Sequence, residues 1–565
     1  MEKRWVIKDA DEDKVNSLQQ ELKVHPVICK LLVQRGIYSY EEAKKFFRPA
    51  ITDLHDPFIM KDMDKAIDRI DKAITNNQRI LIYGDYDVDG TTSVALAFSF
   101  FNSIYKNIDY YIPDRYLEGY GISIKGIDYA KSTNCDLVIA LDCGIKAVDK
   151  IEYANSIGVD FVICDHHIPG DTVPAAYAVL DPHQPDCNYP YKELSGCGIG
   201  FKLIQAYAIR HQIPVEQIIP YLDLVVVSIA SDIVPITGEN RVLAFFGTEQ
   251  LNKNPRPGLK ALIEIAGYEG QLNISNIVFG LGPRINAAGR MDDANKAVKM
   301  LIAETIEHAK NGADVLHEKN VGRKEVDKMI TSDALYMLQS NPDTDKRVST
   351  VLCSDKWHKG VVGIVASRML DHYYRPTILL TESAGMLYGS ARSVKNFDIY
   401  EAIKACADLL EQFGGHMYAA GLSLKPENFE LFSQRFDDVV RASIKPEQLI
   451  PEIEIDAALH LKDITPTFNN IIKQFAPFGP QNMDPIFMSA ELLNNGKSRI
   501  VGDNHLKLGV KDNNRFNADA IAFQKGAFYE AINNGARFDI CYTIEENNFR
   551  DMKNLQLNVR DIKLN

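Results

Sequence analysis

Apolar runs of strand length recur through the first half of the chain, each followed by apolar residues at helical spacing: residues 80–83, 108–115 (IDYYIPDR), 135–144 (CDLVIALDCG), 158–170 (GVDFVICDHHIPG) and 176–183. Strands that alternate with helices pair in parallel, so the pattern predicts an α/β domain built on a parallel sheet. The helix after the first strand is expected from Thr91, with Thr91 and Thr92 as caps. Ahead of the sheet, residues 1–70 read as helices and turns. One helical pattern stops at Gly36, another opens at Ser39, and an amphipathic helix covers residues 64–74. An apolar segment, residues 223–235, carries Asp232 within it. From Arg241 to Gln339 the spacing is mostly helical. Its last part, 294–339, reads as a connector with a break near Asn311-Gly312 and a stop at Asn341-Pro342. A second α/β lobe follows, opening as strand, polar loop and glycine-started helix. After residue 449 short alternating runs (PEIEIDAAL, HLKLGVK, RFDICYTIEE, LQLNVRDIKL) predict a small β-barrel, for which an oligonucleotide-binding (OB) barrel is the natural candidate. The expected units are 1–70, 71–240, 241–345, 346–448 and 449–565.

Composition changes little in this picture. With 565 residues, 46% hydrophobic and 25% charged, the chain is an ordinary multidomain globular protein. No apolar run reaches the roughly 18–20 residues needed to span a bilayer, and MEKRWVIKDADEDK has no signal-peptide character. Nine scattered cysteines without a CxxC pair suggest neither zinc nor disulfides, and a cytoplasmic location is expected. A net charge of −13 argues against a protein that coats nucleic acid by charge alone, but not against a nuclease with its basic groups in a groove.

The chemistry is concentrated at strand ends. Asp85, Asp87 and Asp89 follow the first strand, closed by Gly90; Asp142 ends the third; Asp165, His166 and His167 end the fourth. Parallel sheets present functional groups at their carboxyl ends. Three alternate carboxylates repel one another unless a cation sits among them, although an acidic turn with one capping Asp is the plainer alternative. Asp232, if ionised in its apolar segment, needs a metal or a histidine. Of the adjacent histidines, one can face a metal and the other a phosphate, with Asp165 fixing a tautomer. LGPRINAAGRM sets Arg284, Asn286 and Arg290 among small residues, as in a phosphate-facing loop or a helix start. Gly389–Ser393 (GSARS) and Phe413–Gly421 (FGGHMYAAG) are read as small-residue turns bearing Arg392 and His416, suited to an anion or simply to tight turning.

The ordered set GDYDVDG, ALDCG, DHH and SDIVP resembles the DHH phosphoesterase superfamily, and FGGHMYAAG resembles the glycine-rich signature of its associated second domain (DHH-associated). DRYLEGYG, GPRINAAGRM, SDKWHKGVVGIVASR, GSARS and PFGPQN before a terminal barrel extend the likeness over the whole chain, to the branch of bacterial single-stranded-DNA exonucleases. The resemblance implies metal ligands at Asp85, Asp87, Asp89, Asp142, His166 and Asp232, with His167 on the scissile phosphate. In relatives that write the first motif His-x-Asp-x-Asp, a histidine stands where this chain has Asp85. It also implies that Arg115, Tyr120, Ser390 and Arg392 hold the DNA end.

The implied activity is two-metal hydrolysis of single-stranded DNA from its 5′ end, releasing mononucleotides, in recombination and repair. Asp87, Asp142, His166, His167 and Asp232 would carry the catalysis, Mn2+ suiting the mixed donors better than Mg2+. Single-strand-binding protein and a helicase are the expected partners. The alternatives are a DHH phosphodiesterase acting on short oligoribonucleotides or cyclic-dinucleotide products, an inorganic pyrophosphatase, and a non-catalytic single-strand-binding replication factor.

Overall fold

In the computed structural model, which describes residues 2–549 and 552–565, the first sheet has five parallel strands. Across the sheet they run Ile108–Tyr111, Arg79–Gly84, Cys135–Leu141, Asp160–Cys164 and Ala178–Leu180. All but the half-buried edge strand Ile108–Tyr111 are buried on both faces, which is why their apolar runs are continuous. Ile80, Ile82, Ile139 and Val162 pack on one side, Leu81, Tyr83, Val138 and Ile163 on the other. The chain steps outward from Arg79–Gly84 to Ile108–Tyr111, then crosses back to Cys135–Leu141. The order therefore reverses between Arg79–Gly84 and Cys135–Leu141, and the crevice beyond such a reversal is where open α/β sheets bind ligands.

The helix after the first strand is Val88–Ile104, three residues earlier than expected. Asp87, not a threonine, is the N-cap, accepting from the Gly90 amide at 3.0 Å. Thr91 and Thr92 lie inside the first turn and return their hydroxyls to the Asp87 and Val88 carbonyls. Asp89 is thus a helical residue. Residues 223–231 make up nearly all of another helix, Leu222–Ser231, with Asp232 at its C-cap and residues 233–235 beyond it.

The connector is one 35-residue helix, Ile306–Ser340, preceded by the short helix Asn295–Leu301. The break lies between these two and not at Asn311-Gly312. A side chain at Gly312 would come within 2.8 Å of Met300 Cβ, so this glycine allows the two helices to touch. Ala309, Ala313 and Leu316 pack into the core of the first domain, and Ile330, Ala334 and Leu338 into the second lobe. One rod therefore sets the spacing of the two lobes.

The second lobe carries a five-stranded mixed sheet: Gln412–His416, Ala419–Leu424, Met386–Arg392, Thr377–Ser383 and Thr350–Cys353. GSARS and FGGHMYAAG are not mainly turns. The first lies in a strand, and the second forms a hairpin paired Gln412↔Ser423 through His416↔Ala419. At Gly414 and Gly421 there is open space where a side chain would stand, leaving a bare backbone ladder.

The C-terminal barrel closes because Phe487–Asn494 pairs with both Phe538–Phe549 and His505–Lys511, while Asn517–Ala522 pairs in parallel with Met552–Leu564. Five strands connected in this way form an OB barrel. Its core is continuous with the N-terminal helices: Leu18, Ile28 and Leu32 pack with Phe468, Phe487 and Phe538. The buried Arg241 guanidinium donates to the carbonyls of Phe46, Gln474, Phe475 and Ala476, tying the first domain to both. No helix among the described residues is long and apolar enough to cross a membrane, and all nine cysteines are free.

Candidate metal centre and cationic cleft

The acidic loop turns out of the first strand at the point of reversal. Asp85 is fully buried. Its Oδ1 accepts from the Gly121 amide at 3.1 Å, while Oδ2 has no hydrogen-bond partner among the described residues. Asp89 is held more firmly: its oxygens accept from the amides of Gly196 (2.7 Å) and Cys197 (2.8 Å) and from the Ser228 hydroxyl (2.7 Å). These amides open the helix Gly196–Arg210, whose dipole favours a carboxylate there.

Asp142 leaves the third strand in the left-handed region, φ 59°, and faces His166. His166 Nε2 lies 3.2 Å from Asp142 Oδ1, 3.6 Å from Asp232 Oδ2 and 3.8 Å from Asp89 Oδ2, and forms no hydrogen bond among the described residues. Three carboxylate oxygens thus surround one buried, unpartnered imidazole nitrogen. Gly196 makes the approach possible, since a Cβ there would stand 2.6 Å from Asp142 Cβ and 2.9 Å from its Cα. Gly196→Ala is therefore expected to cost about 1–3 kcal/mol of stability and to weaken manganese binding. Thermal melts with and without the metal check both effects.

Next to this group, Asp165 arranges His167. Asp165 Oδ1 accepts from His167 Nδ1 at 2.7 Å and from the His166 amide at 2.8 Å, and Oδ2 accepts from the Ile145 amide at 2.8 Å. His167 Nε2 stands 3.1 Å from the Tyr120 hydroxyl, which also reaches the Asp142 carbonyl at 3.3 Å. Burial alone would lower the His167 pKa, but the Asp165 hydrogen bond and charge, with Asp232 and Asp89, raise it to about 9. With the carboxylates free of metal, this environment favours the protonated ring, whose Nε2 is then a donor facing the Tyr120 hydroxyl.

The carboxylates show the opposite strain. Burial first, and then neighbouring carboxylates, push Asp85, Asp87, Asp142 and Asp232 above the usual range; for Asp142 the neighbours are Asp89, Asp87 and Asp232. Asp89, His166 and Asp232, and separately Asp142, His166 and His167, each offer ligand atoms within 4.8 Å of one another. Orphaned donor atoms and crowded like charges together fit divalent cations.

Tyr86, between Asp85 and Asp87, leads from this cluster into a cavity of about 540 Å³ between the two lobes. Arg115, Arg290, Lys359 and Arg392 line it, with Ser390, and no carboxylate does. The Arg115 guanidinium lies over the Tyr86 ring at 4.8 Å. Arg392 donates to Ser390 Oγ at 3.0 Å and Ser367 Oγ at 3.1 Å, and Arg290 to the Gly360 carbonyl at 3.1 Å. Burial, and then the charge of Arg115, lower the Arg290 pKa to about 10. Four cations converge on a cavity with no acid in its lining, an arrangement suited to an anion.

The profile of the DHH family, N-terminal domain, matches residues 79–229, that of the DHHA1 domain matches 345–442, and that of the RecJ OB domain matches 455–561. Among curated proteins, the chain is 36% identical to the single-stranded-DNA-specific exonuclease RecJ of Bacillus subtilis (strain 168), over 99% of this chain and 70% of that protein. It is 32% identical to its namesake in Escherichia coli (strain K12), over the full length of both. The chain belongs to the RecJ family. Among solved structures, RecJ of Thermus thermophilus in complex with Mn2+ aligns with a TM-score of 0.85 at 25% identity, covering 99% of this chain and 79% of that one.

Against this RecJ-family frame, the residues singled out in the sequence separate into groups. Asp89, Asp142, His166, His167 and Asp232 meet directly, and Asp85 and Asp87 adjoin them through mutual repulsion. Arg115, Arg290, Ser390 and Arg392 share the cleft, and Tyr120 and His416 line a neighbouring cavity. GPRINAAGRM is a helix, Gly282–Met291, rather than a loop; its Gly289 seats it against the Tyr86 carbonyl, which a Cβ would approach to 2.4 Å. Arg284 lies outside the cleft lining. It is buried, donating to the Gly280 carbonyl at 2.6 Å and to His317 Nδ1 at 3.3 Å, which makes it a packing residue. Asn286, one turn before Arg290, lines neither cavity. Sequence reasoning passed over Tyr86, Lys359, Ser228 and the Gly196–Cys197 amides. The glycine-rich helix start LSGCGIG was the available signal for the last pair.

Proposed function

We propose that the chain is a metal-dependent exonuclease that removes mononucleotides from the 5′ end of single-stranded DNA, in recombination and repair. The observation that carries this reading is contiguity: Tyr86 belongs at once to the carboxylate loop and to the four-cation cleft. A 5′-terminal phosphate among Arg115, Arg290, Lys359 and Arg392 would bring the first internucleotide phosphate to the carboxylate–histidine cluster.

Asp85, Asp87, Asp89, Asp142, His166 and Asp232 would hold two divalent cations, and an imidazole among the donors favours manganese over magnesium. When bound, such ions lower the pKa of a coordinated water and supply positive charge at the phosphate and the departing 3′-oxygen. The rest falls to the chain. Asp165 orients His167, whose protonated Nε2 would give its hydrogen bond to a phosphate oxygen in place of the Tyr120 hydroxyl. Ser228 and the Gly196 and Cys197 amides keep Asp89 from turning away. The OB barrel would grip the strand beyond the active site, as such barrels do with aromatic and basic side chains. A helicase and single-strand-binding protein are the partners this reading implies, and the cytoplasm its compartment.

The test is a substrate panel in manganese: 5′-labelled single-stranded DNA, duplex DNA, a diribonucleotide and pyrophosphate. Labelled mononucleotide should appear from single-stranded DNA alone. Preference for the diribonucleotide would favour an oligoribonucleotide phosphodiesterase. No product from any of them would favour the non-catalytic role.

A further inference from the structure

A second cavity, of about 420 Å³, also borders the cluster. It shares no lining residue with the cationic cleft. The cleft reaches the cluster through Tyr86, and this cavity reaches it through Tyr120 and His167. Lys146 and Lys150 line it from the turn and helix that follow Asp142, and His416 lines it from the second lobe. Neither lysine forms a hydrogen bond or ion pair among the described residues. Ala147, which precedes the helix Val148–Ser156 and also lines the cavity, gives that helix no side-chain cap, so its positive end is left open. The one acid lining the cavity is Asp165, and its oxygens are already engaged by His167 and by the Ile145 and His166 amides. Asp149, in the same helical turn, lies outside the lining.

A strand whose terminal phosphate sits in the cleft and whose first internucleotide phosphate sits at the cluster must continue away from both. We infer that it continues through this second cavity, where Lys146 and Lys150 bind the second and third internucleotide phosphates on the 3′ side of the scissile bond. The inference rests on the proposed exonuclease activity and adds to it a subsite and two substrate-binding lysines. A 5′-phosphorylated dinucleotide has no phosphate beyond the scissile linkage and leaves the subsite empty, whereas a tetranucleotide fills it. Charge held there therefore favours longer strands and keeps a partly digested one engaged.

The experiment uses the full-length protein with manganese and compares Lys146→Ala/Lys150→Ala with the unaltered chain on 5′-phosphorylated di- and tetradeoxynucleotides. The ratio of kcat/KM for tetranucleotide over dinucleotide should fall roughly tenfold. A methylphosphonate at the second linkage should lower the ratio in the unaltered protein and have little further effect in the variant. In fluorescence anisotropy with a longer single strand and metal-free protein, the log–log dependence of affinity on salt should become shallower by roughly 1.4, about 0.7 for each lost phosphate contact. An unchanged ratio with an unchanged salt dependence would overturn the subsite and leave the exonuclease reading standing. If the unaltered protein cut neither oligonucleotide nor the longer single strand, the exonuclease reading would fail, and the anisotropy arm would still decide whether the lysines bind a strand.

Discussion

Asp142→Ala is expected to lower kcat for 5′-nucleotide release by on the order of 10³-fold or more, with single-stranded DNA affinity changing only a few-fold. Asp142 stands at the point of reversal in the sheet, and its Oδ1 is the oxygen nearest the unpartnered His166 nitrogen, at 3.2 Å. Affinity is expected to survive because the cations of the cleft lie in other segments and keep their geometry. Single-turnover cleavage beside anisotropy separates the two effects, and a variant that cut normally in manganese would refute the site.

The same residue has a signature in stability. Asp85, Asp87, Asp142 and Asp232 have folded-state pKa values raised by burial and mutual repulsion, so without metal the folded protein binds protons more tightly than the unfolded chain. Stability of the metal-free protein should therefore fall as pH rises from the ordinary carboxylate range through the raised values. Manganese should flatten that slope. Asp142→Asn should raise the metal-free melting temperature at neutral pH while removing activity, a trade expected where like charges are crowded for function. Melting curves in chelator and in manganese across pH read each of these directly.

Arg392→Ala is expected to raise KM for 5′-phosphorylated strands by roughly 10–100-fold and to abolish the preference for a phosphorylated over a hydroxyl 5′ end. Two serine hydroxyls fix this guanidinium, and a side chain at Gly363 would come within 3.2 Å of its Nη2, so its fork is pre-aimed into a cavity with no competing acid. Arg392→Lys should recover little, because an ammonium supplies charge without the planar pair of donors. Steady-state kinetics on matched 5′-phosphate and 5′-hydroxyl oligonucleotides decide the point. Retention of the phosphate preference would remove Arg392 from end recognition.

Residues 79–170 show how far a linear pattern reaches. Apolar runs ending in Asp85, Asp142 and His166 determined by themselves that a parallel sheet would carry acids and imidazoles at one rim, since strand direction alone places them there. The pattern could not decide which strands adjoin, because order depends on pairing between distant segments. Only the folded sheet puts the reversal between the Asp85 and Asp142 strands. Asp232 was legible as an anomalous acid, but its arrival 3.6 Å from His166 depends on how the Leu222–Ser231 helix packs. Arg284 and Arg290 show the limit most plainly. Both stand in one small-residue motif, yet they point roughly 120° apart around the helix, so one is buried against His317 and the other lines the cleft. Local sequence sets an element's type and its rim. Which charges converge on a ligand is set by the packing of elements far apart in the chain.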